Sequence, residues 1–118
     1  MGRSSRRGQR LKAPARDYAD ADGNVLSLRG SLTLGTRRKL AQAAAPAAAA
    51  ASRDDAWQRQ VELLFERLAV NWTIAGVPLE GQRELLARFR FASADERAWV
   101  RETLRAHCAE LFPDVQVP

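Results

Sequence analysis

Two adjacent residues near the end of the chain, His107 and Cys108, are the side chains best suited to nucleophilic chemistry. Neighbouring side chains on a helix point about 100° apart, so these two cannot hydrogen-bond each other as a nucleophile and its base must. A buried cysteine that packs as a small hydrophobic residue is therefore the preferred interpretation. With one histidine and one cysteine, the chain also lacks the ligand set of a structural zinc site.

The segment from Tyr18 to Gly23 matches part of a calcium-binding loop, since Asp20 and Asp22 alternate before a glycine. Aligning Gly23 with the glycine of such a loop puts Tyr18 at the first carboxylate position and Arg29 at the final glutamate position. Two essential oxygen ligands are missing, so an acidic turn is predicted. We expect no metal, no cofactor and no enzymatic activity, because no pair of titratable residues has a spacing suited to acid–base or nucleophilic catalysis.

Basic residues recur at helical spacing towards the end of the chain, where Arg97, Arg101 and Arg105 form a ridge. Like charges one turn apart repel each other, so an acidic partner or a phosphate group could hold them in place. The alternative is a solvated helix face on which Glu102 eases the repulsion. A second basic cluster, residues 37–39, leaves the same two interpretations open.

The first sixteen residues carry six positive charges and no acidic residue, whereas the formal net charge of the whole chain is +5. The excess of positive charge therefore belongs to this basic arm. It could contact nucleic acid or another acidic surface, although it contains no aromatic residue, or it could be a solvated, disordered segment. The candidate contacts are Arg3, Arg6, Arg7, Arg10, Lys12 and Arg16.

A single cysteine excludes an internal disulfide and suits a reducing compartment. The alanine-rich run 43–51 is interrupted by Pro46 and is too short to cross a membrane. We therefore expect a protein of the cytoplasm that does not enter a membrane.

Three segments have a strong helical pattern. In the first, Trp57, Val61, Leu64 and Leu68 form one apolar stripe that predicts a helix of about four turns. A short helix is predicted over 80–90, and a longer one over 94–111. The last should begin with a capping box, because Ser93 and Glu96 stand three apart just before an apolar-periodic run.

The N-terminal half predicts less regular structure. Thr36 can cap a helix over 37–45, while the segments 25–28 and 32–34 favour a short β-hairpin. The fold class expected from these patterns is all-α, a small helical bundle with a short N-terminal β-hairpin and a disordered N-terminal arm. The expected parts are the arm (1–22), an extended element with a first helix and an Ala/Pro linker (23–52), a helical domain (53–112) and a tail (113–118).

The segment from Trp72 to Leu79 predicts a fixed corner between two helices, since Gly76 and Pro78 follow the large aromatic. An indole at such a corner can cover the core or anchor a partner. All tryptophans and phenylalanines lie after residue 55, so the core is predicted there. A domain of about sixty residues is marginally stable alone, and a protein partner or self-association would help it.

The run from Glu62 to Leu79 resembles the tail assembly chaperones of long-tailed bacteriophages and prophages, as do residues 25–38. The resemblance implies a non-enzymatic protein of the host cytoplasm that binds the tape measure protein and keeps it soluble during tail assembly. The basic arm and the Ala/Pro run depart from that family. A structural subunit of a phage tail or connector, or a nucleic-acid-binding accessory protein, remain alternatives. The matching positions are Trp72, Gly76, Pro78 and Leu79.

Overall fold

The computed structural model describes residues 13–44 and 53–118, and these residues form four helices and a four-stranded sheet. The sheet is antiparallel throughout, and its strands lie side by side in chain order. The fold is therefore α/β, and the prediction of an all-α bundle is wrong. The elements are β1 (Arg16–Ala19), β2 (Val25–Leu28), α1 (Leu34–Ala44), α2 (Arg53–Leu68), β3 (Ala69–Ile74), β4 (Val77–Glu80), α3 (Gln82–Arg90) and α4 (Ala94–Leu111).

Strand β3 is the main reason for that error. Helix α2 ends at Leu68 and β3 begins at Ala69, with no residue between them. The strand is rich in β-branched and aromatic residues, which pack well on a pleated surface. It pairs with β2 on one side and β4 on the other. Trp72 therefore lies in the sheet instead of at the end of a helix.

The expected corner between helices is a tight β-hairpin. Ile74 pairs with Val77, so Ala75 and Gly76 form a two-residue loop, with φ angles of 53° and 80°. Positive φ at both central residues is typical of the type I′ turn that connects antiparallel strands. Glycine adopts this conformation freely, whereas Ala75 does so at some cost. The side-chain oxygen of Asn24 accepts a hydrogen bond from the Ala75 amide at 3.0 Å and so stabilises the turn.

The N-terminal strands also differ from the prediction. Residues 25–28 form a strand as expected, but its hairpin partner is β1, whereas Leu34 begins helix α1. The prediction of disorder over 1–22 is therefore wrong for residues 16–19. The acidic turn between β1 and β2 is held by Asp20, which accepts backbone hydrogen bonds from Asp22 (2.8 Å) and Asn24 (3.0 Å). Residues 1–12 lie outside the described residues. So do residues 45–52, which make up most of the Ala/Pro linker.

The two faces of the sheet differ in chemistry. One face carries a row of large side chains across all four strands, namely Tyr18, Leu26, Trp72 and Leu79, and the helices cover it. The opposite face carries a polar row formed by Asp17, Ser27, Asn71 and Glu80. Within this row, Ser27 donates to Asp17 and Asn71 donates to Glu80. This row of the open face is thus polar and acidic, whereas the next row on the same face, Ala19, Val25, Thr73 and Pro78, carries no charge.

The helices after residue 52 agree with the prediction except at the end of α2, which stops at Leu68 where the helix was expected to continue to Trp72. Helix α4 begins with the expected capping box: the Ser93 hydroxyl accepts from the Glu96 amide, and the Glu96 carboxylate accepts from the Ser93 amide. The backbone N–H of Ser93, with Arg88 beside it, lowers the pKa of Glu96.

The C-terminal residues pack against the body of the protein. Phe112 and Val115 are buried, and Gln60 of α2 donates to the carbonyl oxygen of Gln116 at 3.1 Å. Arg37 of α1 pairs with Asp114 and lies over the Phe112 ring. The segment predicted as a tail therefore ties α1 and α2 together.

Candidate partner-binding groove

A groove of about 320 Å³ lies between helices α2 and α4, with α3 contributing to its lining. Most of its surface is apolar, and both of its charged residues are arginines. The lining residues are Trp57, Gln58 and Val61 of α2, Phe89 of α3, and Ala94, Arg97, Ala98 and Arg101 of α4. We call this surface the α2–α4 groove.

The amphipathic patterns of the two helices explain why the groove forms here. The four lining residues of α4 are spaced i, i+3, i+4 and i+7, so they form one stripe along the helix. Ala94 and Ala98 are small, which leaves space between α4 and α2. On the opposite wall, Trp57 is 47% exposed although the rest of its stripe on α2 is buried. Trp57, the first residue of the predicted stripe, therefore lies at the edge of the core.

Two arginines give the groove its charge. The Nε atoms of Arg97 and Arg101 are both buried, and neither has a hydrogen-bond partner within the described part of the chain. Arg97 donates through another nitrogen to the Arg90 carbonyl oxygen at 2.5 Å. Neither arginine forms an ion pair with any carboxylate whose side chain the structure describes. An unpaired buried N–H is costly, so these groups are suited to an acceptor brought by a partner.

The third member of the predicted arginine ridge has a different environment. Arg105 pairs with Glu102 at 2.9 Å and does not line the groove. Sequence reasoning therefore found the two arginines of the groove but grouped them with a residue that is already paired. It missed the contribution of Trp57 to the groove. The available signal was its position one turn before Val61, at the exposed start of the apolar stripe.

The four positions that match the tail assembly chaperones in sequence serve mainly to build the sheet. Trp72 is only 2% exposed, and its ring contacts Phe65 and Arg88. Leu79 packs against the same core from β4, Gly76 forms the hairpin turn, and Pro78 is exposed on edge strand β4. Trp72 is therefore a core residue, as one of the two predictions for it stated, and its surface is not available to a partner.

One of the six basic residues of the N-terminal arm lies within the described part of the chain. Arg16, in β1, forms an ion pair with Glu110 of α4 at 2.7 Å. The Arg16 guanidinium lowers the pKa of Glu110, and Glu110 raises the pKa of Arg16. This cation is thus partly neutralised within the fold. The other five residues, Arg3, Arg6, Arg7, Arg10 and Lys12, lie outside the described residues.

His107 and Cys108 are both buried and have separate environments. Burial raises the pKa of the Cys108 thiol to about 11, so the thiolate that a nucleophile requires is disfavoured at neutral pH. His107 Nε2 lies 2.7 Å from the carbonyl oxygen of Arg29, which can only accept, so Nε2 carries the proton. Nδ1 then accepts from the Tyr18 hydroxyl at 2.7 Å. The imidazole thus links β1, the segment after β2, and α4.

This buried imidazole predicts a pH-dependent stability. Burial lowers the pKa of His107, an effect to which Arg16 adds and which the Arg29 carbonyl and Glu110 oppose. Below about pH 6.5 the unfolded chain binds a proton at this histidine before the folded protein does. The free energy of unfolding should therefore fall as the pH drops from 7 through this range. Urea denaturation at several pH values measures it.

The control for this prediction is simple because His107 is the single histidine of the chain. The carboxyl groups with a lowered pKa, including Glu96, Glu110 and Asp114, titrate in a more acidic range. In His107→Gln the change in stability between pH 7 and pH 5.5 should largely disappear. An unchanged slope in that variant would contradict the assignment.

No family model, curated protein or solved structure matches this chain. Within the described residues, no helix combines the length and hydropathy needed to span a membrane. The same residues contain no group of three or more His, Cys, Asp or Glu side chains placed to hold a metal ion.

Proposed function

We propose that this protein is a non-enzymatic binding protein whose target is another polypeptide. We further propose that it is an assembly chaperone of a phage or prophage tail, acting in the host cytoplasm on the tape measure protein. The general proposal draws on the α2–α4 groove. The specific one draws on the resemblance of residues 25–38 and 62–79 to the tail assembly chaperones.

The observation that carries the general proposal is the composition of the groove. Trp57 and Val61 offer apolar contact from α2, while Arg97 and Arg101 offer unpaired donors from α4. Tryptophan and arginine are among the residue types most enriched at the energetic centres of protein interfaces. A groove between two helices also suits the binding of a third helix, which is a common way of recognising peptides.

The described residues favour a polypeptide over nucleic acid as the target. Arg16 of the basic arm is paired with Glu110, and Arg37 of the second basic cluster is paired with Asp114. The open face of the sheet carries Asp17 and Glu80, which would repel a phosphate backbone. The remaining support for nucleic-acid binding is the charge of residues 3–12 and of the exposed Arg38 and Lys39.

Co-expression with a long coiled-coil tape measure protein tests the specific proposal. We expect the client to remain in the soluble fraction when the full chain is present and to aggregate when it is absent. Deleting residues 1–12 should leave this effect intact, whereas the deletion should not extend to Arg16 because that residue belongs to β1. The measurement is the soluble fraction of the client after centrifugation.

Two outcomes would contradict the specific proposal. Equal aggregation of the client with and without the protein would exclude chaperone activity. Recovery of the protein in stoichiometric amounts from mature phage particles would instead support the alternative of a structural tail or connector subunit, because a chaperone leaves the particle.

A further inference from the structure

We infer that the α2–α4 groove binds an amphipathic helix that carries two acidic residues one turn apart beside an apolar side chain. The inference deepens the proposed function, because it assumes a polypeptide target and specifies the chemistry of the part that binds. It follows from three features of the groove: its charge, its shape and the pairing of the acidic residues around it.

The charge of the groove selects a carboxylate-bearing partner. Arg97 and Arg101 are one helical turn apart, and both have a buried Nε without a hydrogen-bond partner among the described residues. A guanidinium binds a carboxylate through two parallel N–H donors, one of which can be Nε. Two acidic residues at i and i+4 on a facing helix have the same spacing as the two arginines. Such a partner supplies an acceptor for each orphaned donor, once the two side chains turn so that the buried Nε–H groups face it.

The shape of the groove selects a helix. On α4 the lining stripe extends from Ala94 to Arg101, which corresponds to about two turns. The small side chains of Ala94 and Ala98 allow another helix to approach α4 closely. Opposite them, the half-exposed Trp57 offers a flat apolar surface to a leucine or phenylalanine of the partner. A volume of about 320 Å³ accommodates a few side chains from one face of such a helix.

The carboxylates cannot come from the parts of this chain outside the described residues. Residues 1–12 carry five positive charges and no acid, and residues 45–52 carry no charge at all. A second copy of the chain offers one acidic pair of this spacing on α2, Glu62 and Glu66, but Glu62 already pairs with Arg90. We therefore assign the groove to a different polypeptide, and binding of a second copy is one of the outcomes that the test separates.

A pair of synthetic peptides tests this inference. The first is an acetylated and amidated alanine-based helix of about 15 residues, the length at which isolated helices begin to form in water. It carries two leucines one turn apart, flanked by glutamates at i and i+4. The second peptide has glutamine in place of both glutamates. Isothermal titration calorimetry measures affinity, and the side-chain Nε–H resonances of Arg97 and Arg101 in nuclear magnetic resonance spectra locate binding.

We expect the glutamate peptide to bind the full-length protein and to shift both Nε–H resonances. Replacing the glutamates by glutamine should weaken binding roughly tenfold or more, because hydrogen bonds to charged groups are lost. Arg101→Gln and Arg97→Gln should each weaken binding of the glutamate peptide to a similar extent. They should have little further effect on the glutamine peptide, since each change removes the same interaction.

The matched control is Arg105→Gln. It makes the same change of charge on the same helix, one turn beyond Arg101, at a residue that does not line the groove. We expect its affinity for the glutamate peptide to remain within about twofold of the original protein, because Arg105 is exposed, is already paired with Glu102 and does not line the groove. Thermal unfolding of every variant verifies that the fold is retained.

Several results would overturn the inference. These are equal binding of the two peptides, equal loss of affinity in Arg105→Gln, and displacement of the peptide by millimolar phosphate or free glutamate, which would indicate a site for small anions. A dimer in light scattering that dissociates in Arg101→Gln would assign the groove to a second copy of the chain.

Failure of this inference is distinguishable from failure of the chaperone proposal. If the double variant Arg97→Gln/Arg101→Gln still keeps the tape measure protein soluble, the acidic-helix inference is wrong and the chaperone proposal stands. If the original protein binds the glutamate peptide but does not protect the client, the chaperone proposal is wrong and the inference stands.

Discussion

Replacing Phe65 by alanine should lower the free energy of unfolding by about 3–5 kcal/mol, the usual cost of truncating a buried aromatic residue. Phe65 is fully buried in α2 and joins three elements. Its ring stacks on Phe89 of α3 at 4.7 Å and meets Trp72 of β3 edge-on at 5.7 Å. Alanine would leave a cavity between the helices and the sheet. Denaturation by urea, monitored by circular dichroism, measures the loss.

Phe91→Ala is the control for this change, because it removes the same atoms from a side chain that is 88% exposed. The free energy of unfolding should change by less than about 0.5 kcal/mol. Phe65→Ala should also disturb the α2–α4 groove, since Phe89 lines the groove and rests on Phe65. Equal effects of the two substitutions would contradict the position assigned to Phe65.

Replacing Gly30 by alanine should destabilise the protein by about 1–3 kcal/mol, the range for inserting atoms into a filled space. A Cβ at this position would lie 2.1 Å from the carbonyl oxygen of Pro14 and 3.0 Å from that of Ala13. Both neighbours are backbone atoms, which cannot rotate away as a flexible side chain can. The segment leading into β1 would have to move, so amide exchange in residues 16–19 should accelerate together with the loss of stability.

Gly35→Ala is the control for Gly30→Ala, because the same substitution five residues later should not destabilise the protein. Gly35 lies in the first turn of α1, and a Cβ there would have no heavy atom within 4 Å. Alanine favours helix over glycine, so this substitution should be neutral or stabilise the protein by up to about 1 kcal/mol. Destabilisation by Gly35→Ala equal to that by Gly30→Ala would show that the contact with Pro14 is not responsible.

The helices of the C-terminal half could be predicted because their signals are local. The capping box of Ser93 and Glu96 contains its own partners, and the apolar stripe from Trp57 to Leu68 needs no knowledge of the rest of the fold. Both features depend on residues within about four turns of chain. These elements were therefore found with nearly correct boundaries.

Only part of the sheet could be predicted, because the pairing of β2 with β3 is not local and the two hairpins have weak sequence signals. Strand β1 reads Arg-Asp-Tyr-Ala and exposes most of its side chains, so it lacks the apolar alternation of a half-buried strand. Strand β3 follows α2 directly and pairs with β2 across two intervening helices. The hairpin signal between β3 and β4 was weak because alanine occupies a turn position where asparagine, aspartate or glycine is usual.

The groove was found only in part for a similar reason. Spacing along one helix identified Arg97 and Arg101, but it could not separate them from Arg105, whose partner Glu102 is within reach of the same helix. The opposite wall comes from a helix that lies about forty residues earlier in the chain. Sequence periodicity describes the face of a helix, whereas the pairing of two faces depends on the tertiary fold.

The direct junction between Leu68 and Ala69 gives the molecule a mechanical property. Because no loop separates α2 from β3, the junction contains no connecting segment that could absorb a tilt of the helix. The Leu68 carbonyl oxygen also accepts a hydrogen bond from the Arg29 amide at 2.8 Å, which joins this junction to the end of β2. We therefore expect a partner that tilts α2 to displace the two central strands as well.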